Sequence, residues 1–139
     1  MAAFEIMARV GFRHCDPAGI VFYPRYFEMI NLVVERWFEE ALACPFADMH
    51  LRDRRGVPTV RTETDFKAPA RLGEELRISL TVVEIKRASV ILAIVIRGKD
   101  GTERVSARHI LAHASLEPMK ALPWPEDLRQ RMQACASGA

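Results

Sequence analysis

Residues 24–43 read PRYFEMINLVVERWFEEALA, and their spacing decides the fold. Phe27, Ile30, Val33 or Val34, Trp37 and Ala41 recur at three- and four-residue steps, while Arg25, Glu28, Glu35, Arg36, Glu39 and Glu40 fill the other side. That is the period of an amphipathic helix with one buried stripe. Pro24 suits the first helical position, where its missing N–H would lack an intrahelical partner anyway. The pair Cys44-Pro45 predicts a stop near residue 43, giving one long helix of about 30 Å.

Outward from this helix the hydrophobic period changes to two. Upstream, Phe4, Ile6, Ala8, Val10 and Phe12 alternate with Glu5, Met7, Arg9, Gly11 and Arg13, which predicts a half-buried strand over 4–12. It ends at the turn signal Asp16-Pro17-Ala18-Gly19. Downstream, four β-like segments are expected over 57–67, 74–85, 89–97 and 102–115. The breaks between them are Arg71-Leu72-Gly73, Lys86-Arg87 and Lys99-Asp100-Gly101. Short turns between consecutive strands imply mainly antiparallel pairing. The run 90–96 is apolar on both faces, as in a central strand. A short helix over 125–132 and a flexible tail over 134–139 close the chain. One strand, one long helix and four further strands make an α+β domain in which a curved five-stranded sheet wraps the helix.

The 139 residues are 50% apolar and 27% charged, which fits a single globular domain over 1–139 and argues against disorder. Twenty Lys and Arg against eighteen Asp and Glu leave a net charge of +2, too balanced for a nucleic-acid or membrane-surface protein. Cys15, Cys44 and Cys135 lack the spacing of a metal or redox motif and fit a reducing compartment. Glu5 and Arg9 interrupt what would be the apolar region of a signal peptide, so a cytoplasmic location is expected. The longest apolar run, 90–96, is far short of the roughly 20 residues a membrane-spanning helix needs.

The densest chemistry lies at residues 14–26, HCDPAGIVFYPRY. This stretch closely resembles the active-site motif of the 4-hydroxybenzoyl-CoA thioesterase family, and the order of strands and helix over about the first 116 residues agrees with that family's hotdog fold. On its own terms the stretch suits thioester hydrolysis. That reaction needs a nucleophile or a base that activates water, and donors for the developing oxyanion. Asp16 is an ionised carboxylate at neutral pH, and the helix starting near Tyr23 and Pro24 turns free N–H groups and a partial positive charge toward the turn. The resemblance implies that Asp16 attacks the thioester or activates water, that the Tyr23 backbone N–H polarises its carbonyl, and that Gly19 permits close approach of the backbone.

The same resemblance implies further contacts. Lys86 and Arg87 match two members of a basic cluster that binds the nucleotide of coenzyme A. Ala88 replaces the third, and Ser89 matches a neighbouring serine. Thr59 falls near the pantetheine contact, and His14 adjoins the catalytic aspartate as a substrate-contact candidate. Asn31 stands where the 4-hydroxybenzoyl enzyme has an aspartate, contributed by the neighbouring subunit, that binds the ring hydroxyl. Asn31 can still accept a hydrogen bond but carries no charge, so an unsubstituted aryl, arylacetyl or short aliphatic acyl group also fits. Tyr26, Phe27 and Trp37 are either pocket wall or plain core. His109 and His113 read as structural, because they lie in a strand-like segment and Ile110 replaces the glutamate of the helical zinc motif.

Together these readings predict a thioester hydrolase acting on an acyl-CoA. No metal and no cofactor is expected, coenzyme A being part of the substrate. A homodimer at least, and a homotetramer by family habit, is expected from the need to cover sheet edges. No nucleic-acid or membrane partner is expected. The alternatives are a noncatalytic acyl-CoA-binding module, or a thioesterase acting on an acyl carrier protein. A dehydratase is disfavoured, as no His with an acidic partner stands out.

Overall fold

A computed structural model describes residues 3–136. The buried stripe of residues 24–43 organises it. Helix α1, Pro24–Glu40, buries Tyr26, Met29, Ile30, Val33, Val34, Trp37 and Phe38 on one face. It ends three residues short of the expected 43. Ala43 adopts a left-handed backbone with φ 51°, and the Cys44 N–H reaches back to the Phe38 carbonyl at 2.8 Å. This closes the helix in the manner usually given to glycine.

Five strands form one antiparallel sheet in the order β1-β4-β5-β6-β3: β1 Phe4–Arg9, β3 Thr59–Phe66, β4 Glu75–Ile85, β5 Ser89–Arg97 and β6 Glu103–Ala112. β5 is central, as its two-sided apolar pattern requires. Val90, Leu92, Ile94 and Ile96 are wholly buried under the helix, while Ala93 and Val95 on the other face are half-buried. Each wholly buried side chain of this size contributes about 2 kcal/mol. The fold is the hotdog arrangement expected from the sequence.

Several boundaries differ. The first strand stops at Arg9, and Phe12–His14 form a 3-10 turn that leaves Phe12 85% exposed instead of inward. The long last strand breaks at His113, and its continuation β7, Ala114–Leu116, joins β2, Arg55–Gly56, and β8, Met119–Ala121, in a second small sheet. The break arises because the His113 N–H bonds to the Ala88 carbonyl and its ring lies against Trp124. Helix α2 runs Glu126–Ala136, so 134–136 belong to the helix and not to a tail; 137–139 lie outside the described residues. Pro125 immediately precedes it, and Leu128 and Met132 anchor it on the core.

Two of the three buried histidines, His109 and His113, carry a pH dependence to which His14 adds in the same direction. The His113 Nδ1–H donates to the Leu122 carbonyl at 3.0 Å, leaving Nε2 to accept from the Arg55 guanidinium at 2.6 Å. His109 is 5% exposed and contacts the Thr59 hydroxyl through Nε2 at 3.1 Å. Burial pushes both below the ordinary value of 6.5. The unfolded chain therefore binds these protons at higher pH than the folded one, and stability falls as the pH drops through 6.5. The urea midpoint is expected to be lower at about pH 5.5 than at about pH 8, and the difference to shrink in His109→Gln. Equal midpoints at the two pH values would contradict this.

Candidate active site

The segment between β1 and α1 is a closed loop. Phe22 N–H bonds to the His14 carbonyl at 2.9 Å, Cys15 bridges Val21, and Asp16 N–H bonds to the Ile20 carbonyl at 3.0 Å. At its tip Gly19 N–H bonds to the Asp16 carbonyl at 3.0 Å, and Asp16 Oδ1 accepts from the Ala18 N–H at 2.9 Å. This leaves Oδ2 of Asp16 without a partner among the described residues. Gly19 has φ 78°, and a Cβ there would meet nothing within 4 Å. Its glycine serves the turn's left-handed backbone, and the space beside it is open.

The loop delivers the chain to the start of α1. Arg25 N–H bonds to the Phe22 carbonyl and Tyr26 N–H to the Tyr23 carbonyl. Pro24 has no N–H, and the Tyr23 N–H has no hydrogen-bond partner among the described residues. It is therefore a free donor at the positive end of a 17-residue helix. Beside it opens a cavity of about 250 Å³ lined by Ile20, Val21, Tyr23, Tyr26, Phe66, Lys67, Ala68 and Pro69. Phe66 packs edge-to-face against Tyr23 and Phe27 and tilted against Tyr26, with ring centroids 5.8 to 6.0 Å apart. The Tyr26 hydroxyl accepts the Ala70 N–H at 3.2 Å and fixes the cavity floor. Next to Ala70 in sequence, the Arg71 N–H donates to the Glu74 carboxylate at 2.9 Å. Burial would raise that carboxyl, but the Arg71 N–H and the Arg104 guanidinium outweigh this and hold it below the ordinary range.

The expected site residues fall into two groups. Asp16, Gly19 and Tyr23 stand together where the loop meets the helix. Asn31 is exposed two turns along α1, about 12 Å from Tyr23 along the axis. It lies one turn beyond Phe27, which packs on Phe66, and therefore on the flank that faces β3. His14 is on the other flank. Its Nδ1 accepts the Gly11 N–H at 2.9 Å, and its ring enters a separate groove with Met7, Arg9, Glu28 and Leu32, away from the Tyr23 cavity. Burial, then the neighbouring Arg13 charge, lowers its pKa. Trp37 is wholly buried core.

Lys86, Arg87, Ser89 and Thr59 form the second group, at the far end of the sheet. β4 carries the chain 11 residues, about 35 Å, from Glu75 beside the loop to the 86–89 hairpin. Thr59 pairs with Leu111, next to the Ala112 that pairs with Ser89, whereas Phe66 at the other end of β3 touches Tyr23. Lys86 and Arg87 are exposed. The hairpin is clamped by a part of the chain that sequence reasoning left aside. Trp124 N–H bonds to the Arg87 carbonyl and its Nε1–H to the Ser89 carbonyl, each at 3.0 Å, and Arg129 bonds to the Lys86 carbonyl at 2.7 Å. The one signal for this was a tryptophan between two prolines at 123–125, an unusual residue to leave in a loop.

A family model described as the thioesterase-like superfamily matches residues 10–132. The chain belongs to the thioesterase-like superfamily. No curated protein matches it significantly. Among solved structures, a gentisyl-coenzyme A thioesterase is 27% identical, covers 90% of this chain and 98% of its own, and superposes with a TM-score of 0.82. A 1,4-dihydroxy-2-naphthoyl-CoA thioesterase from Synechocystis is 20% identical over 95% of this chain and 96% of its own, with a TM-score of 0.86. The 4-hydroxybenzoyl-CoA thioesterase from Pseudomonas sp. strain CBS-3 is 24% identical over 93% of this chain and 98% of its own, with a TM-score of 0.82. As a member of the thioesterase-like superfamily, the protein is a thioester hydrolase. No helix among the described residues is long and apolar enough to cross a membrane.

Proposed function

We propose that this superfamily member hydrolyses an acyl-CoA thioester at a site completed by two copies of the chain. The observation that carries the reading is the free Tyr23 N–H at the helix start, opening on an aromatic cavity, with the open oxygen of Asp16 in the loop that leads to it. The carbonyl oxygen of the substrate accepts from Tyr23. As base, Asp16 takes a proton from water while the hydroxide adds to the carbonyl carbon. As nucleophile, it adds directly and water later cleaves the anhydride. In both routes the Tyr23 N–H and the helix dipole hold the oxyanion until the C–S bond breaks and coenzyme A leaves as a thiolate that takes up a proton.

Two copies are needed because the two groups of residues lie at opposite ends of one protomer. β3 is an edge strand, with Val60 and Phe66 61% and 47% exposed. Antiparallel pairing of β3 with the same strand of a second copy sets Thr59 of one beside Phe66 of the other. It thereby brings the 86–89 hairpin of one copy toward the Asp16 loop of the other, and turns the Asn31 flank into the joint. Lys86 and Arg87 then meet the nucleotide phosphates, Ser89 and Thr59 line the path of the pantetheine arm, and Asn31 faces the acyl end. His14 lies in the separate groove on the other flank of α1.

The aromatic lining favours a flat acyl group, and the three solved relatives named above act on aryl-CoA thioesters. Uncharged Asn31 removes the demand for a ring hydroxyl. Thiol release from a panel of aryl-, arylacetyl- and short aliphatic acyl-CoAs tests the reading. Turnover is expected to be fastest among the aromatic members. Absence of turnover across the panel, with binding of a nonhydrolysable thioether analogue retained, would instead make the protein a binding module.

A further inference from the structure

We propose that Arg129 of α2 binds the phosphates of the substrate's nucleotide alongside Lys86 and Arg87. The inference rests on the acyl-CoA reading above and adds to it a residue outside the hairpin. Arg129 Nη2 donates to the Lys86 carbonyl at 2.7 Å, so its guanidinium sits against the start of the hairpin. One of its five N–H groups is thereby used and the others are left for a ligand.

Its charge is uncompensated. The acids of the first turn of α2 are engaged elsewhere: Glu126 accepts from Gln130 at 3.3 Å, and Asp127 pairs with Arg131 at 3.7 Å. Lys86, Arg87 and Arg129 have no carboxylate within 4.0 Å among the described residues. Two unpaired cations on the hairpin and a third on the helix bonded to its start, in a chain of net charge +2, repel one another unless an anion lies between them. The Trp124 clamp keeps them there, since its two hydrogen bonds hold the hairpin backbone against the strap that leads into α2. A planar guanidinium carried on a helix is suited to two-point contact with a phosphate group.

Calorimetric titration of the full-length protein with coenzyme A, with adenosine 3′,5′-bisphosphate and with an acyl-pantetheine lacking the nucleotide tests this, using wild type, Arg129→Gln and Arg129→Lys. Arg129→Gln is expected to bind coenzyme A and the bisphosphate about tenfold more weakly, with a shallower salt dependence. Its affinity for the acyl-pantetheine and its melting temperature are expected to match wild type, and Arg129→Lys to recover most of the loss. Wild-type affinity of Arg129→Gln for coenzyme A would overturn the proposal. So would an equal loss for all three ligands that Arg129→Lys fails to rescue, which marks a purely structural contact. Wild-type protein that binds neither coenzyme A nor the bisphosphate would overturn the acyl-CoA reading itself, and this proposal with it.

Discussion

Asp16→Asn is expected to lower thioester turnover by about a thousandfold while leaving the protein folded. The loss is large because asparagine can neither take a proton from water nor attack a carbonyl, whichever route the reaction follows. The fold is spared because the structural duty of Asp16 is confined to one oxygen. Oδ1 accepts the Ala18 N–H, and an asparagine side-chain oxygen does the same. The remaining bonds of the loop, from Asp16 N–H to Ile20 and from Gly19 N–H to Asp16, belong to the backbone. Thiol release and the melting temperature, measured on the same preparation, check both halves. Unchanged turnover would remove Asp16 from the chemistry, and a collapsed melting temperature would show that the residue is needed for the turn. Asp16→Ala should lose activity equally and some stability besides, since it leaves the Ala18 N–H without its acceptor.

Much of this architecture is legible in the amino-acid order, and particular residues show why. The α1 stripe from Tyr26 to Phe38 and the two-sided run 90–96 announce themselves because burial on one face or both leaves a periodic trace. The loop from His14 to Phe22 is legible by resemblance, and its closure by local hydrogen bonds is what lets so short a stretch hold its shape. Phe12 fails the period-two reading because a 3-10 turn rotates it out of register, and no pattern of hydrophobicity encodes a three-residue turn. His113 interrupts a strand for a tertiary reason, its contacts to Ala88, Leu122 and Trp124, all distant in sequence or across a turn. The placement of His14 on the β1 flank follows from the 3-10 turn that ends β1, and that of Asn31 on the β3 flank from the rotation of α1. Sequence adjacency to Asp16 says nothing of it. The separation of Asp16 from Lys86 by the length of β4 is equally invisible until the strands are paired.

That separation makes the second large effect one of restoration. Two variants are each expected to be nearly inactive at low substrate: Asp16→Asn, which lacks the reacting carboxylate, and the double charge reversal Lys86→Glu with Arg87→Glu, which repels the nucleotide phosphates. In a homodimer of either, both sites carry the lesion. When the two are mixed and allowed to exchange subunits, the shared site predicts a different outcome. A mixed dimer pairs the intact Asp16 loop of the hairpin variant with the intact hairpin of the Asp16→Asn copy in one site, and collects both lesions in the other. Random exchange makes about half of the dimers mixed, each with one complete site, so about a quarter of wild-type sites should return. Hydrolysis confined within each protomer predicts no recovery at all, because every protomer then carries one lesion in its own site.

The measurement that tests the account most directly is therefore thiol release from the best acyl-CoA of the panel, before and after subunit exchange between these two variants. Recovery to about a quarter of the wild-type rate is the result expected of a carboxylate and a phosphate site supplied by opposite copies of the chain. Activity that stays at the level of the separate variants, with mixed dimers demonstrably formed, would contradict it.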